Sequence, residues 1–230
     1  MFTLNPTRPM SKTLRVLSAL LGYPAAQMLQ HLPEMRGLLH AEGALSQARR
    51  AEIDALMDAL ASADPLEAES DYVALFDRGR GTSLHLFEHV HGDSRDRGQA
   101  MVDLNALYRK SGFVLAVNEL PDYLPALLEY LAGRPAEEVH ELIEDCVHIL
   151  RAVGERLIAS GSPYAAVFAA LLDLHGAARL AAPKGAAKAQ AAQALDEEWD
   201  ETPVEFGPNA LAHGAQQSRP QFIRFVPKNP

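Results

Sequence analysis

Apolar residues recur with the spacing of amphipathic helices from Leu14 to Leu174. No extended stretch alternates apolar and polar positions with a period of two, so the sequence predicts no sheet. The apolar faces are separated by breaks such as Gly22-Tyr23-Pro24 and by glycines such as Gly112, which is placed to end a helix. The pattern therefore predicts an all-α fold with one multi-helix domain over residues 1–180.

The helix boundaries are predicted in most detail around residue 65. Asp64-Pro65-Leu66-Glu67 places an acceptor at the N-cap and proline in the first helical turn, a combination that stabilises a helix by about 1 kcal/mol. We expect this helix to end before Gly79, with one face formed by Leu66, Glu69, Val73 and Phe76. Earlier in the chain, Pro33 predicts a kink within the apolar run from Met28 to Leu39.

The composition changes after about Leu180. Residues 181–194 are mostly alanine, lysine and glutamine, and an acidic segment around Trp199 follows. From Gly207 onward proline, glutamine, glycine and asparagine dominate. Few large apolar residues are available for burial, so we predict that residues 181–230 form a low-complexity linker and a largely disordered, acidic and proline-rich tail.

The overall charge and composition limit the partners. A net charge of −9 disfavours a nucleic-acid backbone as the main partner and permits a basic peptide. The apolar runs are short and broken by charge, so no stable membrane insertion is expected. No secretory signal is visible at the start of the sequence, and the single Cys146 is expected to be a small buried side chain. These features favour a cytoplasmic protein.

Candidate chemistry is concentrated between residues 72 and 122. His85-Leu-Phe-Glu88-His89 matches the H-x-x-E-H pattern of inverted zinc proteases. On a short helix capped by Ser83, His85 and His89 would share a face and hold a metal, with Glu88 as the base. No third ligand can be identified, so a zinc-dependent hydrolase is the alternative function. Histidines that hydrogen-bond or face solvent are favoured over it.

The segment Arg78-Gly-Arg-Gly-Thr-Ser83 permits a second interpretation, an anion-binding loop before a helix. It lacks the preceding strand and the lysine of a nucleotide-binding loop, and a flexible turn is favoured. Arg95 and Arg97 lie near a helix start, where the dipole disfavours cations. They therefore need a carboxylate partner, and the candidates are Asp103, Glu119 and Asp122. A structural ion-pair network and a ligand contact remain equally open.

Three runs of residues in this region resemble a known family. They are Tyr72-x-x-Leu-Phe76-Asp-Arg-Gly-Arg80, then Phe87-Glu-His-Val-His-Gly-Asp-Ser-Arg-Asp-Arg-Gly-Gln-Ala-Met-Val-Asp-Leu104, and finally Glu119-Leu-Pro-Asp122. They resemble the delta subunit of respiratory nitrate reductase, which is the NarJ family of molybdenum cofactor assembly chaperones in the TorD-like group. The resemblance covers approximately residues 14–174.

The resemblance implies a TorD-like helical bundle without catalysis and without a cofactor of its own. Such a chaperone binds the nitrate reductase catalytic (alpha) subunit in the cytoplasm, chiefly through that subunit's N-terminal segment. It supports molybdenum cofactor insertion before membrane docking, and molybdenum cofactor delivery proteins are further candidate partners. A chaperone for a related molybdoenzyme is an alternative that differs only in its client.

We expect nine residues to line or shape a groove for the client peptide: Tyr72, Phe76, Arg80, His89, Arg95, Arg97, Tyr108, Glu119 and Asp122. Aromatic residues at helical spacing are also typical of an ordinary core, and that alternative is favoured for the three aromatics. Position 85 is usually apolar in the family, so His85 and the metal-binding pattern look incidental. The wider TorD-like group often has histidine at position 123, where this chain has Tyr123.

Overall fold

The structure is a computed structural model, and it describes residues 9–91, 95–115 and 119–181. In this part of the chain ten α-helices follow one another. They are α1 (Ser11–Leu20), α2 (Ala26–Gln30), α3 (Leu32–Glu42), α4 (Gln47–Ser62), α5 (Pro65–Tyr72), α6 (Glu88–His91), α7 (Arg95–Lys110), α8 (Leu124–Ala132), α9 (Ala136–Ala159) and α10 (Ala165–His175). A π-helical turn, Val73–Asp77, continues α5, and a 3-10 turn spans Arg80–Thr82. The described residues contain no strand, which confirms the all-α prediction.

The N-cap predicted for α5 is confirmed. The Asp64 carboxylate accepts hydrogen bonds from the backbone N–H groups of Leu66 (2.9 Å) and Glu67 (3.4 Å). The predicted face of this helix is wrong at its start, because Leu66 is 76% exposed. The face that packs inward is the row of residues spaced by four, which consists of Ala68, Tyr72 and Phe76.

Pro33 breaks the predicted helix completely. The segment α2 ends at Gln30, and Pro33 lies in the first turn of α3. The first helical N–H groups have no partner within their helix, so proline is tolerated there. The expectation of a kink in one continuous helix is therefore corrected to two separate helices.

The core lies where α1 packs against α8 and α3, and where α10 packs against α9 and α4. Leu17, Phe87 and Phe168 are among its fully buried side chains. Burial of one such side chain stabilises the fold by about 1.5–3 kcal/mol. Cys146 is also buried, as predicted, and burial raises the pKa of its thiol to about 12. The thiol is therefore an inert part of the core.

The two helices α9 and α10 approach each other closely at Gly154. A Cβ atom there would lie 3.0 Å from the Cβ of Phe168 and 2.7 Å from Leu180. After α10 the chain returns along α9, where Arg151 donates hydrogen bonds to the carbonyls of Ala178 (2.8 Å) and Arg179 (3.2 Å). The predicted linker and tail lie almost wholly outside the described residues. No helix in the described part is long and apolar enough to cross a membrane.

Candidate functional site

The segment between residues 83 and 91 is held to the entry of α8 by backbone hydrogen bonds. Leu86 donates to the carbonyl of Asp122 (3.0 Å), and Leu124 donates to the carbonyl of Leu84 (2.9 Å). His85 and Tyr123 form an isolated antiparallel bridge between these two bonds. Two segments far apart in sequence are thus fixed side by side. We call this region, residues 72–91 together with 119–123, the bend.

Asp122 is the polar centre of the bend, and its side chain is fully buried. One carboxylate oxygen accepts a hydrogen bond from the backbone N–H of Phe87 (3.2 Å) and lies 3.8 Å from the guanidinium of Arg97. The other oxygen lies 3.4 Å from Nδ1 of His85. This hydrogen bond raises the pKa of His85. A buried carboxylate is thus surrounded by two side chains that carry or can carry positive charge.

The carboxylate partner predicted for Arg97 is confirmed as Asp122. The Arg97 guanidinium also donates a hydrogen bond to Glu88 at 3.2 Å. These contacts support the structural ion-pair interpretation for Arg97. The side chain of Arg95 lies outside the described residues.

The zinc interpretation of the H-x-x-E-H segment is wrong in its premise. The helix α6 begins only at Glu88, so His85 lies in the bridge and not on a shared helix face. His89 donates from Nε2 to the carbonyl of Ser83 (2.8 Å), and burial lowers the pKa of His89. His85, Glu88 and His89 do not gather as metal ligands in the described part of the chain. Ser83 caps only the local turn, because its hydroxyl accepts from the N–H of His85 (3.2 Å).

The three aromatic residues predicted for the groove are buried. Tyr72 and Phe76 are each 4% exposed, and Tyr108 is 0% exposed. The Tyr72 hydroxyl donates to the carbonyl of Leu21 (2.8 Å), and the Tyr108 hydroxyl donates to that of Pro121 (2.9 Å). These rings therefore shape the bend from inside, and they do not offer an open apolar surface.

Other members of the predicted set reach the surface. Arg80 and Glu119 are exposed, and His89 and Arg97 are partly exposed. The loop around Arg80 does not have the geometry of an anion site at a helix N-terminus, because α6 begins only at Glu88. Its 3-10 turn is instead held by the Thr82 hydroxyl, which donates to the carbonyl of Leu75, and by Arg156, which donates to the carbonyl of Gly81 (2.6 Å).

The structure also contains an open apolar groove that the sequence analysis missed. It has a volume of about 380 Å³ and lies between the start of α1, the first half of α9 and the end of α10. Its floor consists of the buried side chains of Leu14, Val139, Ile143 and Leu171. Met10 and Leu174 are partly exposed at its sides. We call this region the groove.

The edge of the groove is polar and acidic. Glu137 and Glu141 are exposed there, next to His140 and the nearly buried His175. The two imidazole rings stack with centroids 4.1 Å apart and planes 18° from parallel. A sequence signal for this edge was available, because glutamates at 137, 138, 141 and 144 flank the apolar stripe of α9. The sequence of α9 does not indicate that its apolar stripe packs against α10.

Comparison with known proteins gives the chain a family context. Residues 42–170 match the family described as nitrate reductase delta subunit. The chain is 45% identical over 196 residues to the nitrate reductase molybdenum cofactor assembly chaperone NarJ of Escherichia coli (strain K12), and the match covers 83% of both chains. It is 31% identical over 160 residues to a probable nitrate reductase molybdenum cofactor assembly chaperone NarJ of Bacillus subtilis (strain 168), covering 70% of this chain and 86% of that protein.

A similar fold occurs in a crystal structure from Archaeoglobus fulgidus, of a protein assigned to redox enzyme maturation. The TM-score is 0.53 and the sequence identity 20%, with 71% of this chain and 92% of the other covered. At this identity the similarity supports the helical architecture alone.

Proposed function

The chain belongs to the nitrate reductase delta subunit family, and on that premise we propose that it is a non-catalytic chaperone for the assembly of a nitrate reductase. The observation that carries this proposal is the 45% identity to the Escherichia coli assembly chaperone, which extends over 83% of both chains. We further propose that the protein acts in the cytoplasm. The zinc-dependent hydrolase is set aside, because His85 and His89 bind other groups of the bend.

The proposed client is the catalytic (alpha) subunit of the nitrate reductase, bound through its N-terminal segment. Binding would keep the subunit competent for molybdenum cofactor insertion before it docks at the membrane. Molybdenum cofactor delivery proteins are proposed as further, transient partners. A client from a related molybdoenzyme would use the same binding mode, and gene neighbourhood distinguishes the two.

The groove is the surface best suited to such a peptide. An amphipathic helix binds by placing its apolar face in an apolar groove. The partly exposed Met10 and Leu174 at the sides of the groove would provide apolar contact above the buried floor, and the groove volume of about 380 Å³ admits a small number of apolar side chains. Exposed Glu137 and Glu141 at the edge would meet basic residues of the peptide, in agreement with the net charge of −9.

The nine residues selected from the sequence remain part of the proposal, with divided roles. The buried members, which are Tyr72, Phe76, Tyr108 and Asp122, would shape the bend. The exposed Arg80 and Glu119, with the partly exposed His89 and Arg97, would form a second contact region for the client. Arg95 remains a proposed member of the set, and its side chain lies outside the described residues.

The test measures binding of a fluorescent peptide that carries the N-terminal segment of the catalytic subunit. Leu174→Arg places a charge at the side of the groove and should weaken binding by at least about tenfold, equivalent to about 1.4 kcal/mol. Leu66→Arg is the matched control, because it adds the same charge at an exposed leucine on α5. It should bind like the wild type.

Two outcomes would count against the proposal. If the wild-type chain fails to bind the peptide at both low and moderate salt, the client assignment is wrong. If both arginine variants bind like the wild type, the client assignment stands and the groove is not the docking surface. Arg80→Ala in the same assay measures the contribution of the second contact region.

A further inference from the structure

Three potential metal ligands meet where the end of α10 crosses α9. His140 and Glu144 are four residues apart on α9 and therefore project from the same face of the helix. His175 is the last residue of α10. One ligand atom from each of the three side chains can be chosen so that all three lie within 4.8 Å of one another. No other such cluster occurs among the described residues.

Helix packing fixes the position of His175. The helix α10 ends at this residue because Gly176 adopts a left-handed conformation (φ 81°). The imidazole is only 8% exposed and stacks against His140 with ring centroids 4.1 Å apart. The stacked rings lie side by side, and one of them would have to rotate before a nitrogen of each could point at the same ion.

The hydrogen bonding of His175 is incomplete. Its Nε2 contacts the carboxylate of Glu144. Its Nδ1 is buried and has no hydrogen-bond partner in the part of the chain that the structure describes. Buried polar atoms are normally paired, so the unpaired Nδ1, which is not the nitrogen that contacts Glu144, requires an explanation. Apolar packing alone does not provide one.

We propose that His140, Glu144 and His175 bind a divalent transition-metal ion of the Zn²⁺ class. Imidazole nitrogen suits zinc, copper and nickel, whereas sites for magnesium and calcium are built from oxygen ligands alone. Three protein ligands would leave the remaining coordination to water. Glu141 and Asp145 lie next to the ligands on α9 and add negative charge that attracts a cation.

Such an ion would join α9 to α10 at the edge of the groove. An ion that binds only the folded chain stabilises it in proportion to the logarithm of the ion concentration relative to the dissociation constant. The site requires neither catalysis nor a bound client, so the inference is independent of the proposed function.

The experiment uses the full chain without a histidine tag and stripped of metal. Titration with Zn²⁺ is followed by calorimetry, and the thermal midpoint is measured with and without the ion. We expect saturable binding by the wild type and a higher midpoint with zinc. Glu144→Gln and His140→Gln should each weaken binding by at least about tenfold and abolish the thermal shift. His31→Gln, an exposed histidine that pairs with Glu34 on another surface, is the matched control and should retain both.

The proposal is overturned if the wild type shows no saturable binding of zinc. It is equally overturned if Glu144→Gln and His140→Gln bind zinc like the control, because the ion then occupies other histidines. Both substitutions are at partly or fully exposed positions, and circular dichroism establishes that the variants are folded. His175→Gln can be added, but the conclusion does not depend on this buried position. Titration with Co²⁺ gives an independent readout through its visible absorption, which should disappear in the same two variants.

Discussion

The bend and the groove are built from opposite kinds of residue. In the bend, a buried carboxylate, Asp122, is contacted by a backbone N–H, His85 and Arg97. Most polar groups of the bend therefore bind other parts of the same chain. In the groove, apolar residues such as Leu174 remain partly exposed, and only the edge is charged. The region with the most conspicuous chemistry is largely internal, whereas the open surface is formed by ordinary helix faces.

This difference shows that polar residues clustered in sequence need not form a binding site. Bringing the segment around Leu86 onto the entry of α8 buries backbone and side-chain polar groups that must be paired. Asp122 provides part of that pairing. Substitutions in the bend should therefore alter mainly stability, and substitutions in the groove should alter mainly binding.

The largest effect is expected for Asp122→Ala. The change removes the carboxylate that accepts from the N–H of Phe87 and that lies beside Arg97 and His85. Removing one member of a buried charged network typically lowers the free energy of unfolding by about 3–5 kcal/mol. Urea denaturation of the variant and the wild type measures this difference.

Glu119→Ala is the control for that measurement, because it removes an exposed carboxylate from the same loop. It should change the free energy of unfolding by no more than about 0.5 kcal/mol. Equal, small effects of Asp122→Ala and Glu119→Ala would mean that the buried network does not hold the bend together.

A smaller loss of stability is expected for Tyr72→Phe. The hydroxyl of Tyr72 donates to the carbonyl of Leu21 (2.8 Å) and lies 3.2 Å from the hydroxyl of Tyr123. The variant keeps the buried ring and removes only these polar contacts, so the free energy of unfolding should fall by about 1–2 kcal/mol. Tyr23→Phe, at an exposed tyrosine that packs edge-on against Tyr72, is the control. If Tyr72→Phe is as stable as the wild type, the hydroxyl of Tyr72 contributes nothing to the bend.

The smallest effect is a pH dependence that originates at His85. The hydrogen bond to Asp122 raises the folded-state pKa of His85 above its unfolded value of about 6.5. The stabilisation by this pair is therefore complete below about pH 6.5 and is lost as the pH rises through the raised folded-state pKa. The difference in stability between the wild type and His85→Gln should accordingly be larger at about pH 5.5 than at about pH 9.

The same comparison in an Asp122→Asn background provides the control. Without the carboxylate, the effect of His85→Gln should no longer increase toward low pH, because the largest cause of the raised pKa of His85 has been removed. His89, whose pKa is lowered by burial, makes the opposite contribution to the pH dependence of stability. This contribution is present in the wild type, in both single variants and in the double variant, so it cancels when the effect of His85→Gln is calculated in each background. If the difference in stability between the wild type and His85→Gln grew toward high pH, it would contradict the assigned pairing of His85 with Asp122.

The sequence predicted much of the local structure. The breaks at Gly22-Tyr23-Pro24 and at Gly112 and the Asp64 N-cap follow from local rules of helix termination and capping. The sequence also predicted that Arg97 needs a carboxylate partner, but it left three candidates open and did not include Glu88, which is the closer partner at 3.2 Å. The predictions that were wrong concern tertiary structure. His85 was expected on a helix, but the bridge to Tyr123 takes it into an extended segment. The partners in that bridge are 38 residues apart, which no short-range spacing indicates.

The groove could not be predicted for a related reason. Periodicity identifies the apolar face of a helix, but it does not indicate which apolar face its neighbours leave uncovered. Val139 and Leu171 have the same sequence pattern as residues of the central core. Only the packing of α1, α9 and α10 distinguishes them. The meeting of His140 with His175 depends on the same packing.

The most direct test of the account is the footprint of the client peptide, measured by amide hydrogen exchange of the full chain with and without the peptide. We expect the strongest added protection in residues 136–143 of α9 and 171–175 of α10, with weaker changes near Arg80 and Glu119. Protection confined to Arg80 and Glu119, with none at the groove, would contradict the account.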